Sequence, residues 1–333
     1  MAETATTPRA TMWAVGYDRY GPPAEVLRVS EVPKPEPAPN EVLVRVRAAS
    51  VNPLDWHMIR GEPLLVRSSE GWRRPKRTIP GVDVAGVVEA VGRDVTRFRP
   101  GDEVWGHKGR AMAEYVCARE TLFLTRPRRL SLEQAAAIPA AALTALQALR
   151  DAGAIRAACR VLINGSSGGV GTFAVQLARH FGADVTAVTS TPNVVLVQEL
   201  GADRVIDYTA EDFTSTGERY DIVMDNVGNR SLFALRRLVA PGGVAVMVGA
   251  MPSKWLAPIP RIAGGVVLSR LGGRRLRWML AHSDDEDMAV LADLVESGAI
   301  TPVIDRCYPM ERAGEALAYL ETLRARGKVV LTV

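Results

Sequence analysis

From Arg160 onward the chain alternates short apolar runs with amphipathic segments, and that order admits few folds. Residues 161–164 read as a strand, 172–181 as a helix, and 184–189 as a strand. A helix over 194–200 ends at Gly201, and 205–207, 220–225 and 244–248 supply further buried strands. Strand, crossover helix and strand in repetition build a parallel, doubly wound sheet.

Between the first strand and the first helix lies Gly165-Ser166-Ser167-Gly168-Gly169-Val170-Gly171. A glycine-rich motif gains meaning in that strand–turn–helix setting. The turn needs small residues, and a pyrophosphate can approach backbone that has no side chain at Gly168 or Gly169. Close helix–strand packing favours Gly171. The N–H groups and dipole of the following helix then favour bound phosphates. Ser166 stands where a strict GxGxxG has its first glycine. The same residues spell G-x-S-x-G around Ser167, the nucleophile elbow of a serine hydrolase. That chemistry needs a late histidine. Only His282 is in place, within a polar helix start, and the elbow fold has no large β-domain before it. The dinucleotide reading is the stronger. An NAD site carries an acid about 20 residues on, for the ribose 2′-hydroxyl. Here the second strand ends Val188-Thr189-Ser190-Thr191 without a carboxylate, and its hydroxyls suit a 2′-phosphate. NADPH is therefore expected, with NADH as the alternative.

The first third is different in character. Residues 41–47 alternate with period two, 82–91 form a β-branched run ended by Gly92, and a turn over 98–102 precedes a strand at 103–106. A strand is expected near Met12, after a polar, disordered extension. Ser131, followed by Leu132-Glu133-Gln134, caps a helix. An alanine-rich stretch then runs to Asp151 with a break at Pro139. Near the end, a helix over 284–297, a strand near Val303, a helix over 310–324 and a strand over 328–333 complete the chain. Residues 251–278 are rich in proline and arginine and are left unassigned, as a cap over a cleft or a subunit contact.

A length of 333 residues points to two domains. The 47% hydrophobic and 23% charged residues suit a packed globular protein, and no run reaches the roughly 18 apolar residues of a membrane span. The apolar core of a secretion signal is absent, so a cytoplasmic address and no membrane partner are expected. Cys117, Cys159 and Cys307 are far apart and odd in number, which suits three reduced side chains better than disulfides or a metal site. The net charge is +4, with arginine clusters at 67–77, 126–129 and 270–277. No nucleic-acid motif accompanies them, so they read as a solvated basic face.

Several segments in order carry a family resemblance: Ala49-Ser50-Val51-Asn52-Pro53-Leu54-Asp55, Pro80-Gly81-Val82-Asp83-Val84-Ala85-Gly86, Arg99-Pro100-Gly101-Asp102-Glu103-Val104, Ala113-Glu114-Tyr115-Val116, Leu143-Thr144-Ala145, the glycine turn, Leu200-Gly201-Ala202-Asp203 and Gly327-Lys328-Val329-Val330. On these the chain resembles the medium-chain dehydrogenase/reductase superfamily, in the zinc-independent quinone oxidoreductase and enoyl reductase branch that includes the reticulon-interacting mitochondrial reductases. The resemblance implies an α/β protein. Residues 1–130 and 300–333 would form a GroES-like, β-rich catalytic domain, and 131–299 a Rossmann doubly wound parallel sheet.

Zinc-dependent members carry cysteine where Asn52 stands, a His-Glu pair where Val82-Asp83 stands, and a four-cysteine lobe. Asn52 and Val82 cannot replace thiolate and imidazole, so no metal is expected. Hydride addition to an electrophilic acceptor, a quinone or an activated C=C, suits a site without a Lewis acid. The resemblance places Asn52 near the nicotinamide, orienting it or the acceptor oxygen; a turn-forming Asn-Pro unit is the alternative. It assigns the cofactor to Thr144, Ser167, Gly168, Gly169, Val170, Ser190, Tyr208, Asn226, Gly249 and Lys328. Asp55 and Asp83 read as buried structural carboxylates. Two departures stand out. Pro192 replaces the lysine or arginine that pairs the 2′-phosphate in many relatives, and Glu62-Pro63 replaces a tyrosine that often follows the Arg-Gly near position 61. The expected activity is NADPH-dependent reduction of a small-molecule quinone or enone. The alternatives are an enoyl-thioester reductase, whose acidic carrier protein would meet the segments near Arg73 and Arg274, and a non-catalytic NADPH-binding protein. A homodimer is the family's expectation.

Overall fold

The computed structural model describes residues 10–249, 259–269 and 273–333. Nearly all of the polar N-terminal extension and part of the 251–278 segment lie outside the described residues.

A six-stranded parallel sheet runs in the order Arg204–Asp207, Asp184–Thr189, Arg160–Asn164, Tyr220–Asp225, Val239–Met247 and Arg275–Trp278. Helices cover both faces, so Val161, Leu162 and Ile163 are all fully buried and the strand reads as unbroken apolar sequence. Chain order reverses at Arg160–Asn164, which has the second strand on one side and a later strand on the other. At such a reversal the carboxyl ends of the strands open a crevice for ligands. The helix after the glycine turn spans Gly169–His180, three residues longer at its start than periodicity suggested. Glycine's poor helix propensity hides Gly169 and Gly171 from a sequence-based reading, yet both lie in the first turn. The strand Arg275–Trp278 and the helix Ile259–Ser269 belong to this layer. That part of the 251–278 segment is therefore an edge strand and a helix packed against it. Buried Leu276 stands between exposed Arg275 and Arg277, a period-two pattern too short to register against its arginines.

The second sheet has seven strands: Ile304–Pro309, Lys328–Thr332, Glu41–Val51, Asp83–Val91, Glu103–His107 and Phe123–Thr125 in order, with Tyr115–Arg119 also pairing Glu41–Val51. The chain's last strand thus joins its first third, antiparallel to Glu41–Val51 through Val329 opposite Val51. A separate ribbon pairs Thr11–Gly16 with Arg28–Pro33. The first alternating run extends to Val51 rather than ending near Arg47, because Ala48 and Ala49 are small enough to be buried on both faces.

The sheets share a core. Trp105, Ala48 and Ala85 from the second sheet pack in one cluster with Ile138, Leu143, Phe173 and Ile163. The helices that bridge them, Leu132–Ala136 and Pro139–Gln147, start as the sequence dictates. Ser131 accepts a hydrogen bond from the Gln134 N–H, and Pro139 begins the second helix, where its missing N–H costs nothing. A backbone bridge between Gly168 and Gly327 adds a direct link.

Gly171 fixes the fit of helix to turn: a Cβ there would lie 2.1 Å from the Gly165 carbonyl oxygen and 2.6 Å from Ser166 Cα. Both are backbone atoms and cannot step aside. Gly171→Ala is expected to lower unfolding free energy in urea by about 1–3 kcal/mol, the usual range for overpacking. An unchanged midpoint would show that the turn is looser than drawn.

Candidate active site

Glu41–Val51 ends at Asn52, which is the extended N-cap of helix Pro53–Arg60. Asp55 reaches back to the cap, and its Oδ2 accepts the Asn52 N–H at 2.8 Å. Its Oδ1 accepts the Gly81 N–H at 3.1 Å, fixing the chain just ahead of Asp83. Burial pushes the Asp55 carboxyl up to about 7, although these backbone donors and Lys328 oppose the shift.

Asp83 opens its strand opposite Ser50 and is wholly buried. Five groups converge on it. Oδ2 accepts Ser50 Oγ at 2.7 Å, Asn52 Nδ2 at 2.9 Å and Lys328 Nζ at 3.5 Å. Oδ1 accepts the Ala140 N–H at 2.9 Å and meets His107 Nδ1 at 3.0 Å. Burial works against the charge, but the Lys328 ammonium, His107 and Asn52 overcome it and hold the carboxyl at about 2. Lys328 is 3% exposed. Burial draws its pKa down while Asp83 and Asp55 act to raise it. Its Nζ also donates to Asn52 Oδ1 at 2.5 Å. Both ends of the Asn52 amide are thereby engaged, and lysine on one side and carboxylate on the other fix which end is oxygen.

The cluster touches the glycine turn directly. The Gly327 N–H donates to the Ser167 carbonyl at 2.8 Å, and a Cβ on Gly169 would lie 3.0 Å from Lys328 Cδ. No side chain caps helix Gly169–His180, and among the described residues no protein acceptor meets the N–H of Val170 or Gly171. A Cβ on Gly168 would meet only the Gly165 carbonyl oxygen, at 3.6 Å. Open N–H groups beneath a surface without side chains fit a diphosphate. Further along the crevice, Asn226 Oδ1 and Nδ2 are buried without a hydrogen-bond partner among the described residues. Gly249 packs so tightly on that loop that a Cβ would fall 1.9 Å from the Asn226 carbonyl oxygen. Buried amide atoms left unpaired are costly, and a ligand carrying both donors and acceptors satisfies them. The residues present therefore fit a dinucleotide.

Other predicted residues spread along the same edge. Ser167 Oγ accepts from Thr189 Oγ1 at 2.8 Å and Asn193 Nδ2 at 3.1 Å, and no described histidine bonds it, so the elbow reading has no base. Thr144 donates to the Ala140 carbonyl at 2.6 Å, on the helix whose first turn reaches Asp83. Ser190 accepts from Asn193, and Tyr208 is 44% exposed at the rim. Lys328, expected as a cofactor residue, turns its ammonium toward Asn52 and Asp83. Three participants escaped the sequence reading: His107, Asn193 and Asp207. Asp207 ends the strand beside Asp184–Thr189, and its Oδ2 accepts Thr191 Oγ1 at 2.6 Å. This acid reaches the end of the second strand from the third, where its sequence position gives no sign of it. Among the described residues no cluster of three histidine, cysteine or acidic side chains is placed to hold a metal.

A parallel sheet with an open phosphate turn, docked on a β-domain through a buried lysine–carboxylate cluster, defines a two-domain nicotinamide-dependent oxidoreductase. Comparison with known proteins agrees. Residues 38–128 match the family described as alcohol dehydrogenase GroES-like domain, and 200–331 match the zinc-binding dehydrogenase family. The chain is 36% identical to the mitochondrial NAD(P)H oxidoreductase RTN4IP1 of Bos taurus, across 99% of this chain and 91% of that protein. It is 35% identical to the 2-methylene-furan-3-one reductase of Solanum lycopersicum, across 99% and 82%. The solved quinone oxidoreductase of Coxiella burnetii superposes with a TM-score of 0.83 at 31% identity, covering 97% of this chain and all 100% of that one. The chain belongs to the medium-chain dehydrogenase/reductase superfamily, in its quinone oxidoreductase branch.

Asp83→Asn strips the buried Lys328 of its counter-charge, and an expected loss of about 3–5 kcal/mol is measurable by denaturant melts. The pH dependence has a definite sign. The folded pKa of about 2 lies below the ordinary carboxyl value near 4. This contribution is therefore complete above about pH 4 and is lost as pH falls toward 2. The variant's acid-unfolding curve should be flatter over that interval than the wild type's.

Proposed function

We propose that this protein is an NADPH-dependent, zinc-independent reductase that delivers hydride to a quinone or to the activated C=C of an α,β-unsaturated carbonyl. The observation that carries the reading is the contact between the open glycine turn and the Asn52–Asp83–Lys328 cluster, made through Gly327. The bound dinucleotide supplies the hydride; the chain supplies position and charge. Gly168–Gly171 and the helix behind them hold the diphosphate, and Asn226 with Gly249 lines the crevice beyond it. Ser190, Asn193 and Tyr208 face the adenosine end. Lys328 places a fixed positive charge beside Asn52, where negative charge on an acceptor oxygen is favoured.

Zinc independence rests on the donor set. At the positions where zinc-dependent relatives place ligands, Asn52 presents an amide oxygen already held by an ammonium group, and Val82 presents nothing. A cation there would sit against Lys328. The acceptor class draws on relatives: one is named for a quinone and another for 2-methylene-furan-3-one, whose ring carbonyl activates the exocyclic double bond.

Oxidation of NADPH by the purified chain, with naphthoquinones and conjugated enones as acceptors and a chelator present, tests this directly. Turnover unaffected by chelator supports the reading. Loss of turnover on chelation, or no turnover with any acceptor while NADPH binds tightly, removes it. The cofactor preference has its own probe in Asp207, whose carboxylate is bonded to Thr191 at the adenosine end. Asp207→Asn is expected to raise the NADPH-over-NADH ratio of kcat/KM by about threefold, in line with weak exposed charge interactions. NADH equal to or better than NADPH in the wild type would overturn the preference.

A further inference from the structure

We infer that the loop tip Trp72–Arg73–Arg74 is a docking point for the anionic surface of a lipid bilayer. The tip is held in place by its base. The Gly71 N–H donates to the Arg67 carbonyl at 2.8 Å, and the Lys76 N–H to the Glu70 carbonyl at 2.7 Å, closing the loop between them. Tyr20 Oη donates to the Gly71 carbonyl at 2.5 Å, while Arg67 lies over the Tyr20 ring at 4.5 Å. Gly71 has φ +110°, and a Cβ there would strike the Arg74 carbonyl oxygen at 2.3 Å, so the turn admits only glycine.

What this base presents is costly to leave in water. Trp72 is 65% exposed, more than any other described aromatic side chain of the β-domain. Among the described residues, neither it nor Arg73 or Arg74 makes a side-chain hydrogen bond, ion pair or ring contact. The nearby acid is spent: Glu70 is buried and lies 3.6 Å from Arg77 Nε. Exposed Lys76 adds positive charge beside the tip.

An exposed indole next to two unpaired cations matches the chemistry of a bilayer boundary. Tryptophan partitions to the headgroup level, and each basic residue near an anionic surface contributes about 1 kcal/mol. A convex tip seats in a yielding surface, whereas an acidic protein partner would need a matching hollow. No helix among the described residues is long and apolar enough to cross a membrane, so the contact would be peripheral. The consequence for catalysis rests on the proposed reductase activity: docking would bring the enzyme to apolar quinones dissolved in the bilayer.

Sedimentation of the full chain with vesicles of equal phosphatidylglycerol and phosphatidylcholine, against phosphatidylcholine alone, tests the docking. Binding to the anionic vesicles only is expected, weakening as salt is raised. Arg73→Glu with Arg74→Glu should weaken it at least about tenfold, and Trp72→Ala about tenfold. Both variants should keep the wild-type melting temperature and turnover of a water-soluble quinone. No binding to anionic vesicles, binding indifferent to both variants, or capture by an acidic carrier protein instead would overturn the inference. Vesicle binding without any reductase turnover would leave the docking intact and remove the proposed function alone.

Discussion

Asp83 is the point on which the two halves of the molecule depend. Its carboxylate is taken fully out of water, which is affordable only because donors from several elements converge on it. Ser50, His107 and Lys328 come from three strands of its own sheet, Asn52 from the cap of the helix that follows one of them, and the Ala140 N–H from a helix of the other domain. Each donor is bonded elsewhere or held by its own element, so the cluster locks strand, helix and tail in one arrangement. Together with the shared core around Trp105 and Ile138 it sets how the β-domain sits on the parallel sheet.

The crevice follows from that arrangement. A glycine turn on its own is a weak anion site. Here the Gly327–Ser167 hydrogen bond brings the start of strand Lys328–Thr332 against it, and Lys328 passes Gly169 to reach Asn52. Backbone N–H groups that suit phosphate and an ammonium that suits a developing oxyanion thus stand on one continuous surface. The unpaired Asn226 amide adds a third polar station. Rigid placement of such groups before a ligand arrives is what makes their charge effective.

Much of this was legible in sequence because it depends on local rules. Period-two alternation located Glu41–Val51, unbroken apolar runs located the parallel strands, and Ser131 and Pro139 marked helix starts. The candidate site was legible where one residue type decides the reading: Asn52 and Val82 lack the thiolate and imidazole of a zinc site, and Gly168 and Gly169 leave the turn bare of side chains. Less legible were features whose cause lies far along the chain. Arg275–Trp278 looked like an arginine cluster until pairing with Val239–Met247 showed which side of it is buried. Asp207 looked remote from Thr191 until adjacent strands brought them together.

The sequence by itself determined the doubly wound sheet, the glycine turn between strand and helix and a donor set poor in metal ligands, because spacing and side-chain type are sufficient for each. Only the tertiary structure decided the state of the buried groups. Lys328 and Asn52 are 276 residues apart, and nothing local makes one the partner of the other. The ionisation of Asp83 and the orientation of the Asn52 amide follow from that meeting, while burial raises the Asp55 pKa against the pull of Lys328. Electrostatic free energies depend on distance and burial, and folding alone sets both.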